Sequence, residues 1–305
     1  MTQQTRNIMK MAAKRLTGIQ VGIPPRHLRF RFPKTASPMY VYQNNPMAST
    51  LLGVFSAIFP PGERFFVDSV RHFRDQITDP RLNAEVAGFI GQEAMHGREH
   101  ERLNAWYEEQ GMDLSMPERV IRMSLAMLRK LPPSQQLACT TMMEHFTAHL
   151  AEQWLTDQTF RTSADPDMLP VWTWHGLEEL EHKAVAYDVH QAVSKHEHLE
   201  RLLAFPLVLF ALAPGIFFSW GWLVVQQGEA LNLSEHRRGL KVLFGKGGFL
   251  TKVLAHIPDF LRKDFHPNQQ NTAALEAEWR EALFGEHGVL NDYFTNRDTV
   301  MAKAG

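Results

Sequence analysis

Seven residues of this 305-residue chain have types and spacings suited to holding a pair of metal ions: Glu63, Glu93, His96, Glu144, His175, Glu179 and His182. They fall in four parts, a single Glu63, then Glu93-x-x-His96, then a single Glu144, then His175-x-x-x-Glu179-x-x-His182. Positions i, i+3, i+4 and i+7 share one face of an α-helix, so the two multi-residue parts each present their ligands to one side. Four helices turning those faces inward collect four carboxylates and three imidazoles. That is the Glu, Glu, Glu-x-x-His, Glu-x-x-His set of carboxylate-bridged two-metal bundles with one imidazole added. Bare Glu-x-x-His pairs arise by chance. The information lies in the alternation of single and paired parts and in the gaps between them, long enough for a helix and a turn.

The sequence around these residues is apolar. Glu93 sits in Val86-Ala87-Gly88-Phe89-Ile90-Gly91-Gln92, Glu63 precedes Phe65-Phe66-Val67, Glu144 follows Met142-Met143, and His175 follows Trp172 and Trp174. Charges of one sign cannot be buried together without neutralising partners. Two cations would remove the repulsion, and Glu144 with Glu63 or Glu93 are the carboxylates best placed to bridge them. Among the neighbours, His100 lies one turn after His96 and reads as a hydrogen-bonded core histidine first, or else as a donor behind the ligands or an eighth ligand. Glu179 is preferred over Glu178 because its spacing matches both His175 and His182. His145 and His149 are off the line of Glu144. Glu99, Glu101 and Glu181 read as solvated, and Arg64, Arg71 and Arg98 as surface ion-pair partners. Thr141, Phe66, Phe89 and Trp172 are candidates to line a cavity.

The elements that must position this set are all helical. Met47 to Phe59 reads as a short helix broken by Pro60-Pro61, with a restart over Gly62 to Ile77 that carries Glu63 in its first turn. Asp79-Pro80 opens a helix to Gln110 that Gly111 stops. Ser115-x-x-Glu118 looks like a capping box for a ligand-free helix ending before Pro132-Pro133. Ser134 to Thr159 carries Glu144, Arg161 to Pro166 reads as a loop, and Asp167 to Ser194 carries the densest cluster. No strand alternation, phosphate-binding glycine loop or repeat is visible. The expected fold is all-α, a ferritin-like four-helix bundle with additional N- and C-terminal helices. Its organisation is a basic N-terminal arm over residues 1–45, the two-metal bundle over 46–198, and a hydrophobic helical segment with C-terminal helices over 199–305.

Leu202 to Val225 is 24 residues without a charge, long enough to cross a bilayer, with Trp220 and Trp222 near one end. Pro206 and Pro214-Gly215 suggest two short helices in a hairpin, either buried on the bundle or dipped into one leaflet, or an interface in a homodimer. Arg237 to Lys263 is amphipathic and basic. Ala273 to Phe284 and Val289 to Met301 read as short terminal helices. The single cysteine, Cys139, excludes a disulfide framework, a thiolate zinc site and an iron–sulfur cluster. A net charge of −1 gives no reason to expect a nucleic-acid partner. Met1 to Lys34 is basic without the apolar run of a signal peptide, and reads as a partly ordered arm able to lie against anionic lipid. The expected location is cytoplasmic, with the inner face of the membrane as a variant.

The chain resembles the bacterial family of predicted metal-dependent hydrolases, to which a ferritin-like helical fold is assigned. The matching stretches are Phe59-Pro60-Pro61-Gly62-Glu63-Arg64-Phe65-Phe66, Phe89 to His100 through Gly91-Gln92-Glu93-Ala94-Met95-His96-Gly97, Glu178 to His182, and Phe265-His266-Pro267. The ligand layout is also similar to that of di-iron aromatic amine N-oxygenases, which place a third histidine on the last helix; by that likeness His175 is a ligand. Carboxylate-rich ligation suits iron first, with manganese or zinc as substitutes. The leading expectation is an O₂-dependent oxidase or oxygenase with two iron ions, in which Glu63, Glu93, Glu144 and Glu179 take part, acting on an apolar or aromatic small molecule with an external electron donor. The alternative is a two-metal hydrolase, and a third reading is a non-catalytic metal-binding bundle.

Overall fold

Each of the four helices that carry the candidate ligands has a proline in its first turn, where a missing N–H breaks no helical bond. The computed structural model describes residues 16–33 and 37–304. These four are α1 (Pro46–Arg71), α2 (Pro80–Glu109), α4 (Pro133–Thr156) and α6 (Leu169–His182). Asn45 caps α1 by accepting from Ala48 N–H at 2.9 Å, and Asp79 caps α2 by accepting from Arg81 N–H at 2.9 Å. Between them lies α3 (Ser115–Leu128), whose start is held by Asp113 rather than by Ser115. The remaining helices are α5 (Gln158–Ser163), α7 (Val185–Val193), α8 (Glu197–Gln226), α9 (Leu233–Phe244), α10 (Phe249–His256), α11 (Ala273–Phe284) and α12 (Arg297–Ala304). Among the described residues there is no strand, only an isolated bridge between Leu28 and Phe294. The fold is an all-α bundle.

Several local expectations are corrected. Pro60-Pro61 does not break α1, which runs through as one helix. The carbonyl of Ser56, which Pro60 cannot bond, accepts instead from the Asn104 side-chain amide at 3.1 Å. The lost bond is replaced from α2, so the helix continues and Glu63 follows one turn later. Arg161 to Pro166 is not all loop: Asp157 accepts from Phe160 N–H at 2.9 Å, and the fully buried Phe160 anchors the short α5. The expected single helix from Asp167 to Ser194 is split at Lys183. That buried lysine donates to Gln270 C=O at 2.8 Å and to the Thr272 hydroxyl, turning the chain between α6 and α7.

The expected hairpin within Leu202 to Val225 is instead one helix, α8, with Pro206 and Pro214 inside it. Gly215 does not make a turn. Its place lets α3 approach, since a Cβ there would lie 2.7 Å from Val120 Cγ1. By length and composition α8 is the one described helix able to cross a membrane. The C-terminal helix expected from Val289 is shorter and later, at Arg297.

Of the expected N-terminal arm, Met1 to Arg15 and Lys34 lie outside the described residues. Residues 16–33 pack on α2 and the C-terminal segment. Leu28 and Phe30 are buried, Arg29 N–H donates to Tyr293 C=O, and Trp106 Nε1 donates to Pro33 C=O. Gly91 makes room for this strap, because a Cβ there would meet Pro25 at 2.5 Å.

Candidate metal centre

All seven residues singled out by spacing converge in the bundle interior, each no more than 3 % exposed. Glu63 comes from α1, Glu93 and His96 from α2, Glu144 from α4, and His175, Glu179 and His182 from α6. Their polar atoms form overlapping trios in which every pair lies within 4.8 Å: Glu63, His96 and His175; Glu93, His96 and Glu179; Glu93, Glu144 and His182. Gly97 helps bring α1 and α2 together here, since a Cβ at that position would stand 3.2 Å from Glu63 Oε2.

The separations fit ligands of a common ion better than hydrogen-bonded partners. His182 Nε2 lies 3.4 Å from Glu93 and 3.6 Å from Glu144, and His96 Nδ1 lies 3.6 Å from Glu179 and 3.8 Å from Glu93. Two nitrogen or oxygen donors each about 2.1 Å from one cation stand about 3–3.5 Å apart. Nine cluster atoms are buried with no hydrogen-bond partner: both oxygens of Glu63, Glu93 and Glu144, Glu179 Oε2, His96 Nδ1 and His182 Nε2. Buried polar atoms are satisfied almost everywhere in native proteins. Orphans concentrated at one point are what a missing cation would leave, and four carboxylates balance two divalent ions in charge. The donor set therefore fits a metal pair.

Glu179 is the most central carboxylate, with Oε1 at 3.0 Å from His175 Nε2 and 3.6 Å from both His96 Nδ1 and His182 Nε2. Of the carboxylates expected to bridge, Glu93 belongs to two of the three trios, and Glu63 and Glu144 to one each. Without cations, burial pushes the Glu63, Glu93 and Glu144 carboxyls well above their ordinary range, and the charge of Glu179 adds to it. Glu179 itself behaves oppositely. Burial works to raise it, but His182 and His175 outweigh burial and hold it well below. Burial also drives His96 and His100 well below the usual histidine value, so both are neutral imidazoles.

Each imidazole is oriented from behind by its other nitrogen. His96 Nε2 meets Glu178 at 3.1 Å, His175 Nδ1 meets His100 Nε2 at 2.7 Å, and His182 Nδ1 meets Gln92 Oε1 at 3.1 Å. Such partners fix the ring and its tautomer. Thus Glu178 does not compete with Glu179. It faces away from the cluster, pairing with Arg26 Nη1 at 2.9 Å, and burial, opposed by Arg26, leaves its pKa at about 8. His100 continues to Ser56 Oγ at 3.0 Å.

Two carboxylates expected in solvent are buried. Glu181 is covered by Arg26, Gln92 and Arg280, and Glu99 accepts from Phe30 N–H and Arg102. Their covers are the N-terminal strap and α11, distant in sequence, which no helical wheel of α2 or α6 reveals. Burial alone would raise Glu181, yet Arg26 holds it below its ordinary value. Arg26, paired with Glu178 behind His96, and Gln92, paired with His182, are residues of the site's surroundings that sequence reasoning missed. Arg64 and Glu101 form the expected surface pair at 3.0 Å with both side chains about half exposed. Likewise His145 and His149 stay outside the cluster: His145 meets Phe265 edge-on, and His149 stacks on His256.

Beside the cluster is a cavity of about 410 Å³ between α1, α4, α8 and α10. Glu63 borders it, with Phe59, Phe66, Met143 and Leu212 among its walls, and no other charged side chain lines it. Phe89 and Trp172 are not part of the lining: Phe89 packs edge-on to His182 and Trp172 against His100. Thr141 turns its hydroxyl to the Ala138 carbonyl instead.

A family model described as "Predicted metal-dependent hydrolase" matches residues 24–271, which includes the whole cluster. No curated protein and no solved structure matches the chain.

Proposed function

Since the chain belongs to the family of predicted metal-dependent hydrolases, we propose that it is a two-metal enzyme that hydrolyses an apolar small molecule, such as an ester with a lipophilic acyl or aromatic part. The observation that carries this reading is the cluster of nine orphaned buried polar atoms bordered by an almost wholly apolar cavity. Two divalent cations held by Glu63, Glu93, His96, Glu144, His175, Glu179 and His182 would supply Lewis acidity and a water that ionises near neutral pH.

The protein's own residues supply the rest. Phe59, Phe66, Met143 and Leu212 bind the apolar part of the substrate and exclude bulk water, which also rejects charged substrates. Glu63, the cluster residue that borders the cavity, is placed to accept the proton of the attacking water. His100, Glu178 and Gln92 hold the three imidazoles in register.

One feature favours a second reading, O₂-dependent oxidation of an equally apolar substrate. Four carboxylates and three imidazoles with no thiolate form a donor set that suits iron or manganese, and this reading needs an external electron donor. The two readings separate in one experiment. Protein stripped of metal is loaded with zinc or with ferrous iron and assayed on aromatic and medium-chain esters, with and without O₂. Turnover with zinc in the absence of O₂ supports hydrolysis. Dependence on iron, O₂ and reductant supports oxidation and ends the hydrolytic reading.

A further inference from the structure

The 24-residue uncharged run lies in α8, and the bundle covers little of it: only 17 % of its most apolar window is buried. A core helix of similar hydropathy would be covered on most sides. Ala204, Val208, Trp220 and Leu223 of α8 pack inward, while Leu203, Leu209, Phe210, Phe217, Phe218 and Val225 are exposed along the opposite side. At about 1.5 Å per residue this apolar face, from Leu203 to Val225, extends about 33 Å. A patch of that size is a contact surface rather than ordinary surface scatter. Met123 and Met127 of the adjoining α3 are also exposed.

Two observations identify what covers it. From Leu233 to Lys263, over α9, α10 and the turn after them, seven Lys and Arg stand against two acidic residues, in a chain whose net charge is −1. Arg237, Lys241 and Lys246 in this stretch are exposed. The cavity beside the metal cluster lies between this basic stretch and α8. Phe244, Leu250 and Leu254 line one side, and Leu209, Ile216 and Phe217 the other. Leu209, Phe217 and Leu254 are themselves exposed, so the cavity rim belongs to the apolar face.

We propose that the exposed side of α8, flanked by α9 and α10, docks on an anionic lipid bilayer, and that the cavity takes its substrate directly from the lipid phase. An apolar face beside a basic flank is the pattern of helices that lie in the interface plane. With its inward side held on the bundle, α8 lies along the membrane surface and does not cross it. The entry route rests on the proposed function of the cavity; docking does not.

The test is flotation of the full-length protein with phosphatidylcholine vesicles with and without about one-third phosphatidylglycerol, at low and high salt, alongside sedimentation velocity without lipid. The expected result is a monomer that floats with the anionic vesicles, several-fold less with neutral ones, and is weakened by salt. The double variant Phe210→Asp, Phe218→Asp, whose sites are exposed and do not line the cavity, is expected to lose about tenfold or more in binding with an unchanged thermal midpoint. Arg237→Glu with Lys246→Glu is expected to remove the preference for anionic lipid. No binding to either vesicle overturns the proposal, and so does a stable dimer that the Phe210→Asp, Phe218→Asp variant splits into monomers. Uptake of a neutral fluorescent medium-chain ester, blocked by Leu212→Trp, reads the cavity separately. Vesicle binding without such uptake upholds docking and ends the lipophilic-substrate reading.

Discussion

His182 Nδ1 lies 3.1 Å from Oε1 of Gln92, and that contact sets which nitrogen of His182 faces the cluster. The amide orientation is fixed by the other end of Gln92, where Nε2 donates to Glu181 at 2.8 Å and to Pro24 C=O at 3.2 Å, both of them acceptors. Oε1 can then only accept, so Nδ1 carries the proton and Nε2 offers its lone pair toward Glu93 and Glu144. Gln92→Leu is expected to weaken metal binding about 10- to 100-fold, the usual effect of losing a partner behind a ligand. Competition with a chromophoric chelator measures it; unchanged affinity in a folded variant would mean that Gln92 does not set the tautomer.

Glu144 contributes two orphaned oxygens and a raised carboxyl pKa to the metal-free cluster. In Glu144→Gln one of the mutually repelling acids becomes neutral. The metal-free variant is expected to be more stable than the native chain by about 1–3 kcal/mol, within the range for relieving an unpaired buried group. Added metal is expected to raise its thermal midpoint less than that of the native protein. Unfolding scans with and without metal decide this. A variant less stable without metal and equally stabilised by it would place Glu144 outside the ion site.

The pattern of seven ligand-type residues was legible because helical spacing is local, and their convergence follows once four helices pack. What was not legible depends on contacts across the chain. Pro60-Pro61 reads locally as a break, and only Asn104, on another helix, shows why α1 continues. Glu99 and Glu181 read as solvated because helix periodicity assigns them an outer face, yet the strap and α11 cover that face. Arg26 meets Glu178 across 152 residues, with no periodic signal to announce it. Pro206 and Pro214 suggested a hairpin, but proline bends or weakens a helix and does not by itself supply a turn. Here the inward side of α8 is packed on both ends.

Acidity should act on the metal-free and metal-loaded proteins in opposite senses. In the metal-free fold Glu63, Glu93 and Glu144 have pKa values raised above the ordinary 4.5. Between that value and the folded ones, the native state binds more protons than the unfolded chain. Their contribution is therefore complete below about pH 4 and is lost as pH rises through the folded values. Glu179 runs the other way: its depressed value gives stability that is present above the ordinary pKa and lost only at low pH. Three raised groups against one predict a metal-free cluster that destabilises the fold increasingly from about pH 5 to pH 8. Cations bind the deprotonated ligands, so their stabilisation grows over the same interval. The gap between metal-loaded and metal-free thermal midpoints is expected to widen from pH 5.5 to pH 8; a constant gap would contradict the raised carboxyls.

Arg26 joins the strap to α6, with Nη1 at 2.9 Å from Glu178 and 2.7 Å from Glu181 and all three side chains buried. Burial opposes its charge, but Glu181 and Glu178 hold its pKa above the ordinary arginine value, so the guanidinium stays charged. Arg26→Met would leave two acids facing each other inside the protein. Glu178 can take up a proton, since its pKa of about 8 with arginine present rises further without it, and Glu181 keeps Arg280 at 2.9 Å. The expected loss in denaturant unfolding is about 3–5 kcal/mol, the cost of breaking a buried pair from one side. A second consequence reaches the cluster. Above about pH 8, where the native Glu178 is ionised, a protonated Glu178 no longer offers His96 Nε2 a charged acceptor, so metal affinity should fall there in the same variant, and Glu178→Gln should reproduce that loss with a smaller stability loss. If Arg26→Met costs stability while metal affinity stays native, the strap supports the fold without tuning the ligands.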